Sequence, residues 1–88
     1  MSLLPVKVVM ADDEPGVLLL LCSIVCKLEG ALVVGTTENA NDAIAVVREK
    51  CPDVAFLDIE LPDMKGIELA EKLREIQPNI VIVFITAH

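Results

Sequence analysis

Short apolar runs alternate with longer amphipathic stretches along the chain, and the change of period predicts strands alternating with helices. We expect strands at residues 7–11, 31–35, 54–57 and 80–85. These runs are apolar at consecutive positions, as is typical of parallel strands that are covered on both faces. The pattern therefore predicts an α/β fold, with one parallel sheet between layers of helices.

Three helices are predicted between the strands, and residues that favour helix ends mark their limits. Pro15 suits the first turn of the first helix, and Gly30 suits the position after an end near residue 29. Asn39 is a good amino-terminal cap for the second helix, which Pro52 ends. Pro78 closes the third helix. In such a sheet the working site lies beyond the carboxyl ends of the strands.

The first predicted helix is apolar on nearly all sides, because only Ser23 and Lys27 are clearly polar within its central part. A helix of this kind requires more cover than one face of a sheet provides. The last strand, from Ile80 to Ile85, is also wholly apolar and would form a long sheet edge. We therefore expect either a longer natural polypeptide or self-association through this edge and the first helix.

Composition limits the classes of partner. The 88 residues form one domain at most, and 55% of them are hydrophobic, which is ample for a core. The net charge of -7 opposes direct binding to nucleic acid or to an anionic membrane, since both favour basic surfaces. No stretch of the sequence has the pattern of a membrane span or a signal peptide, so we expect a cytoplasmic protein.

The three cysteines fit reduced thiols in such a compartment better than a disulfide framework. Cys22 and Cys26 are one helical turn apart, but a zinc site there needs more ligands than Cys51 and His88 would supply. We therefore expect no zinc site at these thiols.

Acidic and hydroxyl side chains follow three of the predicted strands. Asp12 and Asp13 come after the first strand, Asp58 after the third and Thr86 after the fourth. Three carboxylates in one place repel each other and require a cation, and oxygen ligands without imidazole or thiolate favour Mg²⁺. Taken singly, each residue also fits an ordinary loop, turn or strand-end position. Their shared placement at strand ends favours a site, in which a carboxylate oxygen acts as a nucleophile toward phosphorus.

Three segments together resemble the receiver domain of two-component response regulators. They are Met-Ala-Asp-Asp-Glu-Pro at 10–15, Phe-Leu-Asp-Ile-Glu-Leu-Pro at 56–62 and Phe-Ile-Thr-Ala at 84–87. The resemblance spans the whole chain. It implies a flavodoxin-like (CheY-like) doubly wound parallel sheet, truncated here after the fourth strand, so that residues 1–88 are an incomplete receiver domain.

The resemblance also implies a function and a ligand set. A sensor histidine kinase would transfer a phosphoryl group to Asp58. Asp13, Asp58 and the backbone carbonyl of Glu60 would bind Mg²⁺, and Asp12 would act through a bound water. Such a domain assists its own phosphorylation and dephosphorylation but is not otherwise an enzyme.

Four positions have further roles in this family. Thr86 matches the switch hydroxyl that moves toward the phosphoryl group, and the small side chain of Ala87 leaves room for that group. Glu60 and His88 occupy positions beside the route by which water reaches the phosphorus. We expect them to tune the lifetime of the aspartyl phosphate, with two solvent-facing polar side chains as the alternative.

The sequence departs from the family after the fourth strand. The family's fourth helix, fifth strand and fifth helix are missing, together with a lysine and an aromatic residue of the switch. Loss of a charge-assisted hydrogen bond from that lysine would slow phosphoryl transfer about ten- to a hundredfold. Two other readings stay open: a haloacid-dehalogenase-like phosphatase with Asp58 as nucleophile, and a pseudo-receiver that binds partners without phosphorylation.

Overall fold

The protein is described by a computed structural model that covers residues 5–85, and these residues form one sheet with three helices. The elements in chain order are β1 (Val6–Ala11), α1 (Pro15–Val25), β2 (Ala31–Thr37), α2 (Ala40–Lys50), β3 (Val54–Asp58), α3 (Gly66–Ile76) and β4 (Val81–Ile85). All neighbouring strands are parallel, and their order is β2-β1-β3-β4. The predicted α/β fold with a parallel sheet is confirmed.

The sheet has a hydrophobic core on each face, which explains why its central strands are apolar at successive positions. Val9 and Ala11 of β1 belong to the core that also contains buried side chains of α2 and α3. Val8 and Met10 belong to the opposite core, together with Leu18 of α1. Because side chains alternate between the faces of a strand, two covered faces require apolar side chains at successive positions in the buried part of β1, residues 8–11.

α2 has the Asn39 cap that the sequence predicts, and it ends before Pro52, also as predicted. The Asn39 side chain accepts a hydrogen bond from the Asp42 N–H at 2.8 Å, which satisfies one of the free donors of the first turn. Cys51 ends the helix in the left-handed region at φ 48°, and the buried Pro52 then directs the chain toward β3. Ala40, Ala43 and Val47, which share one face of α2, are buried in the core.

The predicted end of α1 near residue 29 is wrong, because the helix ends at Val25. The N–H of Lys27 donates to the Ile24 carbonyl at 3.2 Å, and that of Leu28 donates to the Val25 carbonyl at 3.0 Å. These i to i−3 bonds are of the 3₁₀ type, so the α-helical hydrogen-bonding pattern stops here. Gly30, at φ 88°, then turns it into β2.

β2 is longer than predicted and ends at Thr37 rather than at residue 35. A register shift between Val8 and Val9 of β1 allows Thr36 and Thr37 to pair with the end of β1. The Thr37 hydroxyl donates to the Met10 carbonyl at 3.2 Å, so a polar side chain is accommodated in the sheet. β4 begins one residue later than predicted, at Val81.

Large apolar side chains are exposed on α1 and at the β4 edge, as the sequence indicates. Leu19 of α1 is 74% exposed, Leu20 61% and Ile24 51%. Val81 of the edge strand β4 is 55% exposed. Within residues 5–85, none of the helices has both the length and the apolar character that crossing a bilayer requires.

Candidate functional site

Three aspartates meet at the carboxyl ends of the two central strands. Asp12 and Asp13 directly follow β1, and Asp58 is the last residue of β3. The pairing of Ala11 with Leu57 sets these two strand ends side by side. As a result, one carboxylate oxygen from each aspartate lies within 4.8 Å of the others. The structure therefore brings together the three carboxylates that the sequence singles out, which we call the acidic group.

Asp12 is the innermost member of the acidic group, with only 2% of its surface exposed. Its backbone N–H donates to the Thr37 carbonyl at 3.0 Å, and its Oδ1 accepts the Glu14 N–H at 2.9 Å. Burial raises the pKa of Asp12, the Glu14 hydrogen bond opposes that rise, and the negative charges of Asp58 and Asp13 add to it. The surroundings of Asp12 in the folded protein thus disfavour its ionised carboxylate.

A divalent cation fits the acidic group better than any basic side chain of the described residues. Two carboxylates at a separation of 4.8 Å repel by about 1–3.5 kcal/mol, depending on how far water screens them. The one ion pair found within residues 5–85 joins Lys50 to Glu49, both on the surface and outside the acidic group. A set of carboxylate oxygens with no nitrogen or sulfur donor is the chemistry that Mg²⁺ selects.

Gly66, at the start of α3, packs directly against the backbone of Asp58. A Cβ added to this glycine would overlap the Asp58 carbonyl oxygen and would approach the Asp58 carbonyl carbon to 3.1 Å. The Gly66 N–H also donates to the Ile59 carbonyl at 2.6 Å. Only glycine allows α3 to begin this close to the end of β3. The position of the Asp58 main chain is therefore fixed by the start of α3.

The loop between β3 and α3 is compact. Glu60 and Lys65 form an antiparallel bridge across it, and the Leu61 N–H donates to the Met64 carbonyl at 3.1 Å. The Glu60 N–H lies 3.5 Å from Asp58 Oδ1, which is long for a hydrogen bond. These contacts order the residues that follow Asp58, including the backbone of Glu60.

Asp63 fastens this loop to the amino terminus of α2. Its Oδ1 accepts the Ala40 N–H at 2.8 Å and its Oδ2 accepts the Asn41 N–H at 2.9 Å. The Ala40 hydrogen bond is the main cause of a lowered pKa at Asp63. Sequence reasoning missed this role, because Asp63 caps a helix that begins 23 residues earlier. Recognising Asp63 requires knowing which acidic side chain lies opposite the free N–H donors of α2, and only the fold shows that.

Three of the residues named from the sequence, Thr86, Ala87 and His88, lie outside the described residues. Their predicted roles therefore stay predictions. The Glu60 side chain is exposed, which agrees equally with a role in tuning and with a solvent-facing residue.

The order of the elements and the acidic group at the strand ends find a match among known families. The family described as "Response regulator receiver domain" matches residues 8–88. This chain belongs to that family. The resemblance noted from the three sequence segments is thus confirmed.

Relatives of the receiver domain agree with this assignment. The chain is 40% identical over 83 residues to the Mycobacterium tuberculosis protein named "Probable transcriptional regulatory protein TcrX", covering 94% of this chain and 35% of that protein. It is 33% identical over 81 residues to the response regulator GacA of Pseudomonas aeruginosa, covering 92% of this chain and 38% of that protein. The chain thus spans little more than a third of the length of these relatives.

A solved structure shares the fold of this receiver domain. A two-component response regulator of the LuxR family from an Aurantimonas species superimposes with a TM-score of 0.88 at 27% identity. That match covers 96% of this chain and 60% of the other. The CheY-like fold is confirmed for this chain.

Proposed function

We propose that this receiver domain accepts a phosphoryl group on Asp58 from a sensor histidine kinase, with Mg²⁺ bound at the acidic group. The proposal is supported above all by the three carboxylate oxygens that lie within 4.8 Å of one another at the strand ends. Membership of the receiver family supports the choice of reaction.

Asp58 is the member of the acidic group best suited to be the acceptor. Asp12 is buried and already accepts the Glu14 N–H, so its oxygens are poorly placed to reach a partner protein. Asp58 is partly exposed, and Gly66 and the β3–α3 loop hold its backbone in place. A nucleophile needs this combination of access and fixed geometry.

In the proposed site, the carboxylates of Asp13 and Asp58 and the Glu60 carbonyl would hold the cation, and Asp12 would act through a water. When bound, Mg²⁺ would offset the negative charge of the carboxylates and of the phosphoryl oxygens. An Asp58 carboxylate oxygen forms a bond to phosphorus while the bond from phosphorus to an imidazole nitrogen of the kinase breaks. That bond's electron pair stays on the imidazole, so the step involves no redox change.

The remaining roles follow the family. The Thr86 hydroxyl would contact the phosphoryl group as the switch, and Ala87 would leave space beside it. Glu60 and His88 would tune hydrolysis of the aspartyl phosphate, since a charged side chain there blocks or orients water. An unchanged phosphate half-life in both Glu60→Ala and His88→Ala variants would rule out that tuning.

Incubation with acetyl phosphate tests the proposed reaction. We expect Mg²⁺-dependent incorporation of one phosphoryl group per chain, seen by intact mass, and its loss in Asp58→Asn. Asp42→Asn is the matched control, because Asp42 is an exposed aspartate on α2, outside the acidic group. Failure of the unsubstituted chain to incorporate phosphate would favour a pseudo-receiver. Continuous turnover of phosphate monoesters would favour a haloacid-dehalogenase-like phosphatase.

We also propose how the domain is used. It acts in the cytoplasm, within a longer regulatory protein or as a self-associated unit, and this acidic segment does not itself bind nucleic acid. The exposed apolar side chains of α1 and of the β4 edge support association or cover by further chain. A folded, monodisperse monomer of these 88 residues in light scattering would count against that part of the proposal.

A further inference from the structure

Two thiols lie side by side in the last part of α1 and at its carboxyl-terminal cap, at the opposite end of this helix from Asp12 and Asp13. Cys22 is on the helix and Cys26 is its carboxyl-terminal cap, and their sulfur atoms are 3.7 Å apart. Both side chains line one cleft of about 490 Å³ between α1 and β2. The other lining residues are chiefly small or aliphatic, among them Ala31, Val33 and Gly35.

A disulfide does not suit this pair. Cβ atoms four residues apart on a helix are about 5–6 Å apart. A disulfide requires them to approach to about 3.8 Å. Oxidation of Cys22 and Cys26 to each other would therefore distort the last turn of α1.

A single atom bonded to both sulfurs does suit the pair. Two bonds of about 2.3 Å that meet at about 90–110°, the range from a pyramidal to a tetrahedral centre, place their sulfur atoms about 3.3–3.8 Å apart, and the 3.7 Å separation of Cys22 and Cys26 lies within that range. A linear two-coordinate metal with similar bonds would need about 4.6 Å. The bridging atom must therefore have a bent arrangement of its two sulfur ligands.

The number of available protein ligands further restricts which atom can bridge the two sulfurs. Zinc needs four ligands, but in residues 5–85 the acidic group is the one set of three or more histidine, cysteine or carboxylate side chains placed to share an ion. A trivalent arsenic atom with one organic substituent needs only two thiolates. Its organic substituent also has an apolar place to lie, in the cleft beside β2.

We propose that Cys22 and Cys26 form a chelating site for monosubstituted trivalent arsenicals. An arsenoxide R–As=O reacts with the two thiols to give R–As(S–Cys)₂ and one water. The two thiol protons and the arsenoxide oxygen leave as that water, and arsenic stays trivalent. The product bridges one turn at the end of α1, and it should stabilise that turn.

Phenylarsine oxide added to the reduced 88-residue chain is the direct test. We expect one adduct per chain by intact mass and the loss of two of the three free thiols, with Cys51 still free. The adduct should resist excess monothiol and be removed by a dithiol. The Cys51→Ser variant should bind like the parent chain, whereas Cys22→Ser should bind about a hundredfold or more weakly, since the second bond is then lost.

A variant with the same number of thiols tests the spacing itself. Cys26→Ser combined with Lys27→Cys keeps two thiols but moves one past the helix cap into the turn that follows α1, which removes the one-turn spacing. We expect this variant to lose the tight adduct in the folded state and to match the parent chain in denaturant. Equal binding by the folded forms would overturn the proposal, as would tight zinc binding by the parent pair or an adduct at Cys51.

Discussion

Removing the charge of Asp12 should stabilise the fold when no divalent cation is present. Asp12 is 2% exposed, and its pKa is raised by burial and by the charges of Asp58 and Asp13. Asparagine has nearly the same shape and keeps an oxygen that accepts the Glu14 N–H. The Asp12→Asn variant therefore loses the charge and little else.

The expected size of this effect follows from the separations in the acidic group. Each of the two carboxylate neighbours within 4.8 Å repels Asp12 by about 1–3.5 kcal/mol. Some of that repulsion is relieved by water and by small movements, so we expect the free energy of unfolding to rise by about 1–3 kcal/mol. In a domain of this size, that change raises the melting temperature by at least about 4 °C.

The pH dependence of stability also tests the sign of this effect. Because the pKa of Asp12 is higher in the folded state than in the unfolded state, the folded state binds this proton first as the pH falls. The destabilisation is therefore fully present at neutral pH and disappears as the pH falls through the raised pKa. Asp12→Asn should lack this part of the pH profile.

Urea denaturation in a chelator, repeated with Mg²⁺, is the assay. Glu49→Gln is the matched control, since it removes one negative charge from an exposed residue and should change stability by less than about 0.5 kcal/mol. Saturating Mg²⁺ should stabilise the parent chain by about 2.7 kcal/mol at a hundred times its dissociation constant and remove the advantage of Asp12→Asn. If Asp12→Asn is no more stable than the parent in chelator, repulsion within the acidic group is not a cost of folding.

Three further changes test the surroundings of the site. Gly66→Ala should unfold at clearly lower urea, because its Cβ overlaps the Asp58 backbone, whereas Gly16→Ala, which meets nothing within 4 Å, should not destabilise. Asp63→Asn should weaken Mg²⁺ binding in calorimetry, because a neutral amide holds the β3–α3 loop less firmly; an unchanged affinity would contradict this. Leu73→Ala, in the core, should cost about 2–5 kcal/mol in urea denaturation.

The sequence predicted the architecture because the strands and the α2 cap are encoded locally. Continuous apolar runs such as residues 8–11 of β1 reflect burial on both faces, and the Asn39 side chain satisfies a donor only three residues away. The end of α1 was missed because the apolar pattern continues through the residues where i to i−3 hydrogen bonds replace the helix, and the end of β2 was missed because pairing with another strand sets it. β2 extends to Thr37 through a shift in its register against β1, which no local pattern reports.

The acidic group was predicted for a similar reason, since strand ends of one parallel sheet lie at the same edge. What supports that group was not predictable in the same way. Gly66 is required by the backbone of Asp58, and Asp63 binds donors of α2 that are 22 and 23 residues away. Both contacts exist only once the β3–α3 loop is placed against its neighbours.

These two contacts connect the acidic group to the starts of α3 and α2. The backbone of Asp58 touches the start of α3 at Gly66, and the loop that follows is attached through Asp63 to the start of α2. Both contacts restrict relative movement, since one is a close approach between backbones and the other is a pair of hydrogen bonds to a carboxylate. A phosphoryl group on Asp58 would therefore act on a segment joined to two helix amino termini. Asp63→Asn would loosen one of these connections while leaving every carboxylate of the acidic group intact.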